Sequence, residues 1–213
     1  AITNRLPLLL LSGDTYAHRI VDPVLQQVEQ FGDPTITAAD TFKPVTRFWD
    51  RIVKPEQLLK SLPQALAVML DPAECGPAFL ALPQDVQAEA YDYPAIFFEP
   101  QVHFIRRPQA DPREISNAAS VINTAKKPLI ISGGGVLYSA AAATLGDLAA
   151  KRNIPIVETF AGKAAFTDSH PNYAGSLGIA GDACSNAIAE DADVVIAVGT
   201  KLQDFTTGSW ALF

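Results

Sequence analysis

The chain has 213 residues, 48% of them hydrophobic, and a formal net charge of −7 at pH 7. This length and apolar content suit one large or two small packed domains, and the acidic balance argues against nucleic acids and anionic membranes as partners. No apolar run is long enough to span a bilayer, and only two, widely separated cysteines, Cys75 and Cys184, indicate reduced thiols in a cytoplasmic protein.

Strand and helix signals alternate over the first ninety residues. Asp14 and Asp22 flank the loop after the first strand, where each either faces a substrate or caps the loop. The long helix contains Pro63, which should kink or divide it. In chain order the predicted elements are a buried strand at 6–11, a helix at 23–31 with Asp22 as its N-cap, a short strand or extended loop at 45–49, a helix at 54–70 and a strand at 77–82.

Residues 93–112 contain four prolines and no helical periodicity, which is typical of a linker. We therefore predict a first domain at 1–93, a linker at 94–112 and a second domain at 113–213. The second domain alternates again, which favours an α/β fold with parallel sheets and helices on both faces. Its predicted strands are 129–131, 155–158 and 194–198, and its predicted helices are 111–124, 139–153 and 182–190.

The segment KKPLIISGGGV, residues 126–136, places three glycines after an apolar strand. Such a turn is either a cradle for a nucleotide or diphosphate or a plain glycine turn. Without a complete GxGxxG pattern, the local sequence favours the plain turn. Lys163 either pairs with a phosphate or is a surface lysine, and Asp204 either accepts from a ribose hydroxyl or caps a turn. If the strand ends converge on one crevice, the candidate binding residues are Gly133, Gly134, Gly135, Thr159, Phe160, Gly199 and Asp204.

The other chemically active side chains form no recognisable constellation. His18, His103 and His170 are scattered, with no cysteine or carboxylate at ligand spacing. Neither cysteine has a base near it in sequence. The residues alone therefore predict no catalytic residue and no metal ligand.

Several ordered blocks resemble one superfamily. RLPLLLLSGD, GPAFLALPQDVQ, KKPLIISGGGV and DADVVIAVGTKLQDFTTG are similar to segments of the thiamine-diphosphate-dependent enzymes related to acetohydroxyacid synthase. The resemblance implies the end of a flavodoxin-like pyrimidine-binding domain, followed by a Rossmann-like central domain of the DHS-like type.

A finer resemblance concerns the residues after the first strand. SGDTYAHRIVDP, AYDYPAIFF and ETFAGKAAF look like the trihydroxycyclohexanedione hydrolases of myo-inositol catabolism. That family uses thiamine diphosphate and a divalent metal, usually magnesium, to open a cyclic dione by C–C cleavage. Two alternatives stay open: an acetolactate synthase-like carboligase or decarboxylase, and a non-catalytic nucleotide-binding module.

The resemblance also implies what this chain does not carry. The glutamate that activates the cofactor should precede Ala1, and the domain that binds diphosphate and metal should follow Phe213. We therefore expect an inactive fragment of a longer enzyme whose substrate is a small cyclic dione. In related enzymes the glycine turn and the loops matching Thr159, Phe160 and 199–204 contact FAD. The superfamily's sites form between chains, which implies a homodimer or homotetramer.

Overall fold

The computed structural model describes residues 1–19 and 32–213, so the predicted helix at 23–31 and its cap Asp22 lie outside the described residues. The chain divides into two compact units, Ala1–Arg107 and Pro108–Phe213. The predicted linker, 94–112, contains this dividing point, and the predicted domain limits stay predictions. In the described ranges no helix combines the length and the apolar character needed to cross a membrane.

The first unit is built on a parallel three-stranded sheet with β3 at its centre, in the order β1-β3-β2. Helix α1 packs on one face through Leu58 and Leu62, and a 3-10 turn at Ala38–Val45 covers the other face through Ala39. The elements are β1 (Leu8–Asp14), β2 (Phe48–Arg51), α1 (Leu58–Leu70) and β3 (Pro77–Pro83).

The two apolar strands of this unit differ in burial. β3 is buried almost throughout, as a central parallel strand should be. β1 lies at an edge, where Leu8 is 46% and Leu11 is 61% exposed. The prediction of a buried strand at 6–11 was therefore wrong about burial, because hydrophobicity alone does not distinguish a central strand from an edge strand.

Helix α1 continues through Pro63 without a break, so of the two predicted effects, a kink or a division, the division is wrong. Pro63 is the sixth residue of α1, and its missing N–H removes only the bond to the carbonyl of Leu59 in the first turn. Packing against β3 compensates for that single loss.

The second unit is a parallel four-stranded sheet in the order β6-β5-β4-β7. Its core has two halves, one on each face: Ile130 and Ile156 pack against α4, and Leu129, Ile131 and Val157 pack against α5. The predicted α/β architecture is confirmed. The elements are α2 (Pro112–Thr124), β4 (Pro128–Ser132), α3 (Gly134–Tyr138), α4 (Ala142–Arg152), β5 (Ile156–Glu158), β6 (Tyr173–Ser176), α5 (Ala183–Asp191), β7 (Val194–Val198) and α6 (Asp204–Thr207).

The helical region after the glycines differs from the prediction of one helix at 139–153. The glycines themselves begin the short helix α3, and α4 starts only at Ala142. Ala140 separates the two helices, because its φ of 52° is left-handed and interrupts right-handed helical geometry.

Candidate functional site

The candidate residues follow the carboxyl ends of three adjacent strands of the second sheet. β4 has β5 on one side and β7 on the other. Strands β5 and β6 therefore extend the sheet from β4 in one direction, and β7 extends it in the opposite direction. Open α/β sheets bind ligands in the crevice at such a switch point. The two loops that would line this crevice contain Gly133–Gly135 and Gly199.

These two loops are in direct contact. The N–H of Gly135 donates to the carbonyl of Gly199 at 2.8 Å, and the N–H of Gly133 donates to the carbonyl of Val198 at 2.9 Å. A Cβ atom on Gly133 would overlap the Gly199 carbonyl oxygen, and one on Gly135 would lie 2.7 Å from the Gly199 Cα. We call this contact between Gly133, Gly135 and Gly199 the glycine clasp.

The loop after β5 closes on the same turn. A Cβ atom on Gly134 would lie 2.9 Å from the carbonyl oxygen of Ala161. Thr159 is buried, its N–H donates to the carbonyl of Ser132 at 3.0 Å, and its hydroxyl accepts from the N–H of Gly162 at 3.2 Å. The Thr159 hydroxyl is therefore engaged in capping the 3-10 turn that follows it.

The last two candidates face outwards. Phe160 is 78% exposed, and Asp204 is an exposed residue at the first position of α6. The structure thus brings the glycines and Thr159 together, and it leaves Phe160 and Asp204 at the surface.

Glu158, at the end of β5, is a buried acid that sequence reasoning missed. It is fully buried, and its carboxylate accepts from the N–H of Phe166 at 2.8 Å and from the hydroxyl of Tyr173 at 3.1 Å. These bonds hold the loop between β5 and β6 against the sheet. An acid that ends an apolar strand, in the segment PIVE, was the available signal.

Lys163 extends this network to the surface. Its Nζ donates to the Tyr173 hydroxyl at 3.2 Å and lies 3.9 Å from a Glu158 oxygen. The hydrogen bond to Tyr173 is the largest cause that raises the pKa of Lys163. Its side chain is 66% exposed. Of its two predicted roles, phosphate partner and surface lysine, this exposure supports the surface lysine.

Asn186 on α5 fixes a fourth loop, between β6 and α5, that the sequence did not single out. Its side chain accepts from the N–H of Gly178 at 2.9 Å and donates to the Gly178 carbonyl at 3.1 Å. The next residue, Ile179, donates its N–H to the carbonyl of Phe205 at 2.9 Å. The loop is therefore attached both to α5 and to α6.

Asp14 in the first unit has a structural partner. It is buried at 2% exposure, and it accepts from the Arg51 Nε at 2.7 Å and from the Thr15 N–H at 2.9 Å. Arg51 also donates to Thr37 at 2.6 Å and to Asp40 at 3.1 Å. Asp14 had two predicted roles, facing a substrate and capping the loop. These contacts give no support to the first.

Asp40 belongs to the same charged cluster and has a depressed pKa. Burial acts to raise this pKa, but hydrogen bonds from Lys43, from the Thr37 N–H and from Arg51 outweigh it and lower the pKa to about 2. The Lys43 Nζ lies 2.7 Å from the Asp40 carboxylate and 4.3 Å from the centre of the Trp49 ring. The cluster joins the ends of β1 and β2 to the 3-10 turn.

An open cavity of about 380 Å³ lies between α4 and the loop after β5, away from the glycine clasp. His170 lines it, beside Phe166 and Asp147. The His170 Nδ1 accepts from the Asn172 N–H at 3.2 Å, which shows a role in shaping the loop. In the described ranges no three histidine, cysteine or acidic side chains are grouped to hold a metal ion, and Cys75 and Cys184 are both free thiols.

Comparisons with known proteins cover both units. Residues 115–213 match the family model described as thiamine pyrophosphate enzyme, central domain. Over all 213 residues the chain is 53% identical to a protein of Clostridium perfringens, 50% to one of Clostridium botulinum and 48% to one of Halalkalibacterium halodurans. Each of these relatives is named 3D-(3,5/4)-trihydroxycyclohexane-1,2-dione hydrolase.

The chain spans about a third of the length of these relatives, 33% in each case. The family match lies within the second unit, and the similarity to the hydrolases includes the first unit as well. The resemblance predicted from the sequence is confirmed: residues 115–213 match the central-domain family model of the thiamine pyrophosphate enzymes.

Proposed function

We propose that this chain is part of a thiamine-diphosphate-dependent hydrolase that opens trihydroxycyclohexanedione by C–C cleavage in inositol catabolism. The proposal depends on one observation: over its whole length the chain is 46–53% identical to proteins named for this reaction. It extends to the first unit, which lies outside the family match.

Thiamine diphosphate, when bound, supplies the carbanion chemistry that breaks the C–C bond. The described residues contain no acidic or histidine cluster for Mg²⁺, so they do not fit that ion, and we assign none of them to it. These residues supply a central unit in which Glu158 and Asn186 hold the loops by hydrogen bonds.

The remaining expectations stay part of the proposal. The resemblance supports a homodimer or homotetramer acting on a small cyclic dione, and the net charge of −7 argues against nucleic acid and anionic membranes as partners. The free thiols of Cys75 and Cys184 are those expected of a cytoplasmic protein. FAD has the weakest support among the implied cofactors, because the candidate glycines contact one another.

The test is a substrate comparison on the protein purified with every domain that its gene encodes. We expect ring opening of trihydroxycyclohexanedione to an acyclic carboxylate, dependent on added thiamine diphosphate and Mg²⁺. Pyruvate is the control substrate, because a carboligase or decarboxylase would consume it. Turnover of pyruvate without ring opening would replace the proposal by the acetolactate synthase-like alternative, and inactivity on both substrates would favour the non-catalytic module.

A further inference from the structure

We propose that the second unit holds no FAD or other dinucleotide on its glycine turn, and that these glycines instead lock the loops of the sheet together. A dinucleotide at a switch point needs two things from such a turn: space beside the glycine backbone and free amide groups for the pyrophosphate. Gly133 and Gly135 offer neither.

The space beside the glycines is filled by the protein's own backbone. Gly199 occupies the side of Gly133 and Gly135, and Ala161 occupies the side of Gly134. Gly199 reaches this position with a φ of 61°, a left-handed conformation that glycine adopts without steric cost. The absence of side chains in the turn is thus fully explained by the approach of two neighbouring loops.

Two of the three amide groups of the turn are also engaged. The N–H groups of Gly133 and Gly135 donate to the carbonyls of Val198 and Gly199, which are the residues across the switch point. A pyrophosphate inserted there would have to break both hydrogen bonds and separate β4 from β7 at their ends. Helix α3, which follows the turn, has only five residues and is too short to offset that cost with its dipole.

The test compares three glycine variants by thermal unfolding, with and without millimolar FAD or ADP. Gly133→Ala places a methyl group on the Gly199 carbonyl, and Gly134→Ala places one at 2.9 Å from the Ala161 carbonyl. Gly32→Ala is the matched control, because among the described residues its Cβ would meet nothing within 4 Å. We expect Gly133→Ala to lower Tm by roughly 5–10 °C or to unfold the second unit, Gly134→Ala to lower it by a few degrees, and Gly32→Ala to leave it unchanged.

We further expect neither nucleotide to change the Tm of the wild-type chain. A saturable, FAD-induced rise in the wild-type Tm would overturn the proposal, and so would a Gly133→Ala variant as stable as Gly32→Ala. Flavin absorbance in the protein purified with its further domains would overturn it as well. None of these readouts depends on ring-opening activity, so the inference and the proposed function fail separately.

Discussion

At the scale of single residues, Glu158 combines full burial with three polar neighbours. Its carboxylate receives a backbone N–H and a tyrosine hydroxyl, and Lys163 lies 3.9 Å away at the surface. A hydrogen bond makes only a modest net contribution to stability, because it replaces hydrogen bonds to water. Removing the acceptor of a buried N–H costs more, because the donor then has neither a protein partner nor water. The backbone bond to Phe166 should therefore matter more than the exposed ion pair.

This difference gives the first prediction. Glu158→Ala should lower the free energy of unfolding by about 2–4 kcal/mol, since it leaves the Phe166 N–H unpaired and opens a cavity. Glu158→Gln, which keeps an acceptor oxygen, should lose less. Lys163→Ala is the control, and it should lose much less stability than Glu158→Ala, because exposed ion pairs contribute little. Urea unfolding measures all three, and an equal loss in Glu158→Ala and Lys163→Ala would contradict the assignment.

Asp40 predicts a dependence of stability on pH. Its pKa in the folded protein is depressed from 3.8 to about 2, so folding favours its ionised form. That stabilisation is complete above pH 3.8 and is lost as the pH falls towards 2. Asp40→Asn should therefore show a flatter loss of stability than wild type over this window, measured by urea unfolding at successive pH values. Parallel curves for the two proteins would show that Lys43 and Arg51 do not hold the ionised carboxylate.

At the scale of elements, periodicity located most of the second unit. β7 was predicted at its observed limits, 194–198, because a wholly apolar and mostly β-branched run, VVIAV, lies between an acidic residue and a glycine. β6 was missed, because its sequence, YAGS, has neither apolar alternation nor β-branched residues. Its position depends on tertiary contacts, such as the Leu177 N–H donating to the Glu158 carbonyl, which no local pattern reveals.

The sequence predicts where the glycine turn lies, but it does not predict what contacts the turn. The three glycines lie at the strand end where the sequence placed them. Their contact with Gly199, more than sixty residues away, depends on β4 and β7 being neighbours in the sheet. A glycine turn that receives a ligand and one that receives another loop have the same local sequence, which is why the sequence left both readings open.

Asn186 supplies a prediction for how α5 holds the loop between β6 and α5. Asn186→Ala removes both hydrogen bonds to Gly178, and we expect a loss of about 1–3 kcal/mol in the free energy of unfolding. Amide hydrogen exchange at Ile179 should accelerate together with this loss. Asn117→Ala, on the exposed surface of α2, is the control and should be neutral or slightly stabilising, because alanine has the higher helix propensity. Unchanged exchange at Ile179 in Asn186→Ala would show that the bond to Phe205 is sufficient.

At the scale of the whole molecule, the division into two units predicts where proteolysis begins. Residues 100–111 are exposed and contain neither helix nor strand, and trypsin can cut within them after Arg106. Arg107 precedes Pro108, which blocks cleavage there. We expect an early pair of fragments, 1–106 and 107–213, and Arg106→Gln should remove this early cut. A first cut after Lys126 would contradict the boundary, because the N–H groups of Lys126 and Lys127 are both bound to Asp193.

The share of the relatives that the chain covers leads to the last prediction. These 213 residues alone should not bind thiamine diphosphate measurably, because the described part has no cluster for its metal ion and the chain spans about a third of the relatives' length. Calorimetry with thiamine diphosphate and Mg²⁺ tests this, with the protein purified with all its encoded domains as the positive control. That longer protein should bind with a saturable heat. Saturable micromolar binding by the 213-residue chain would show that it contains the cofactor anchors after all.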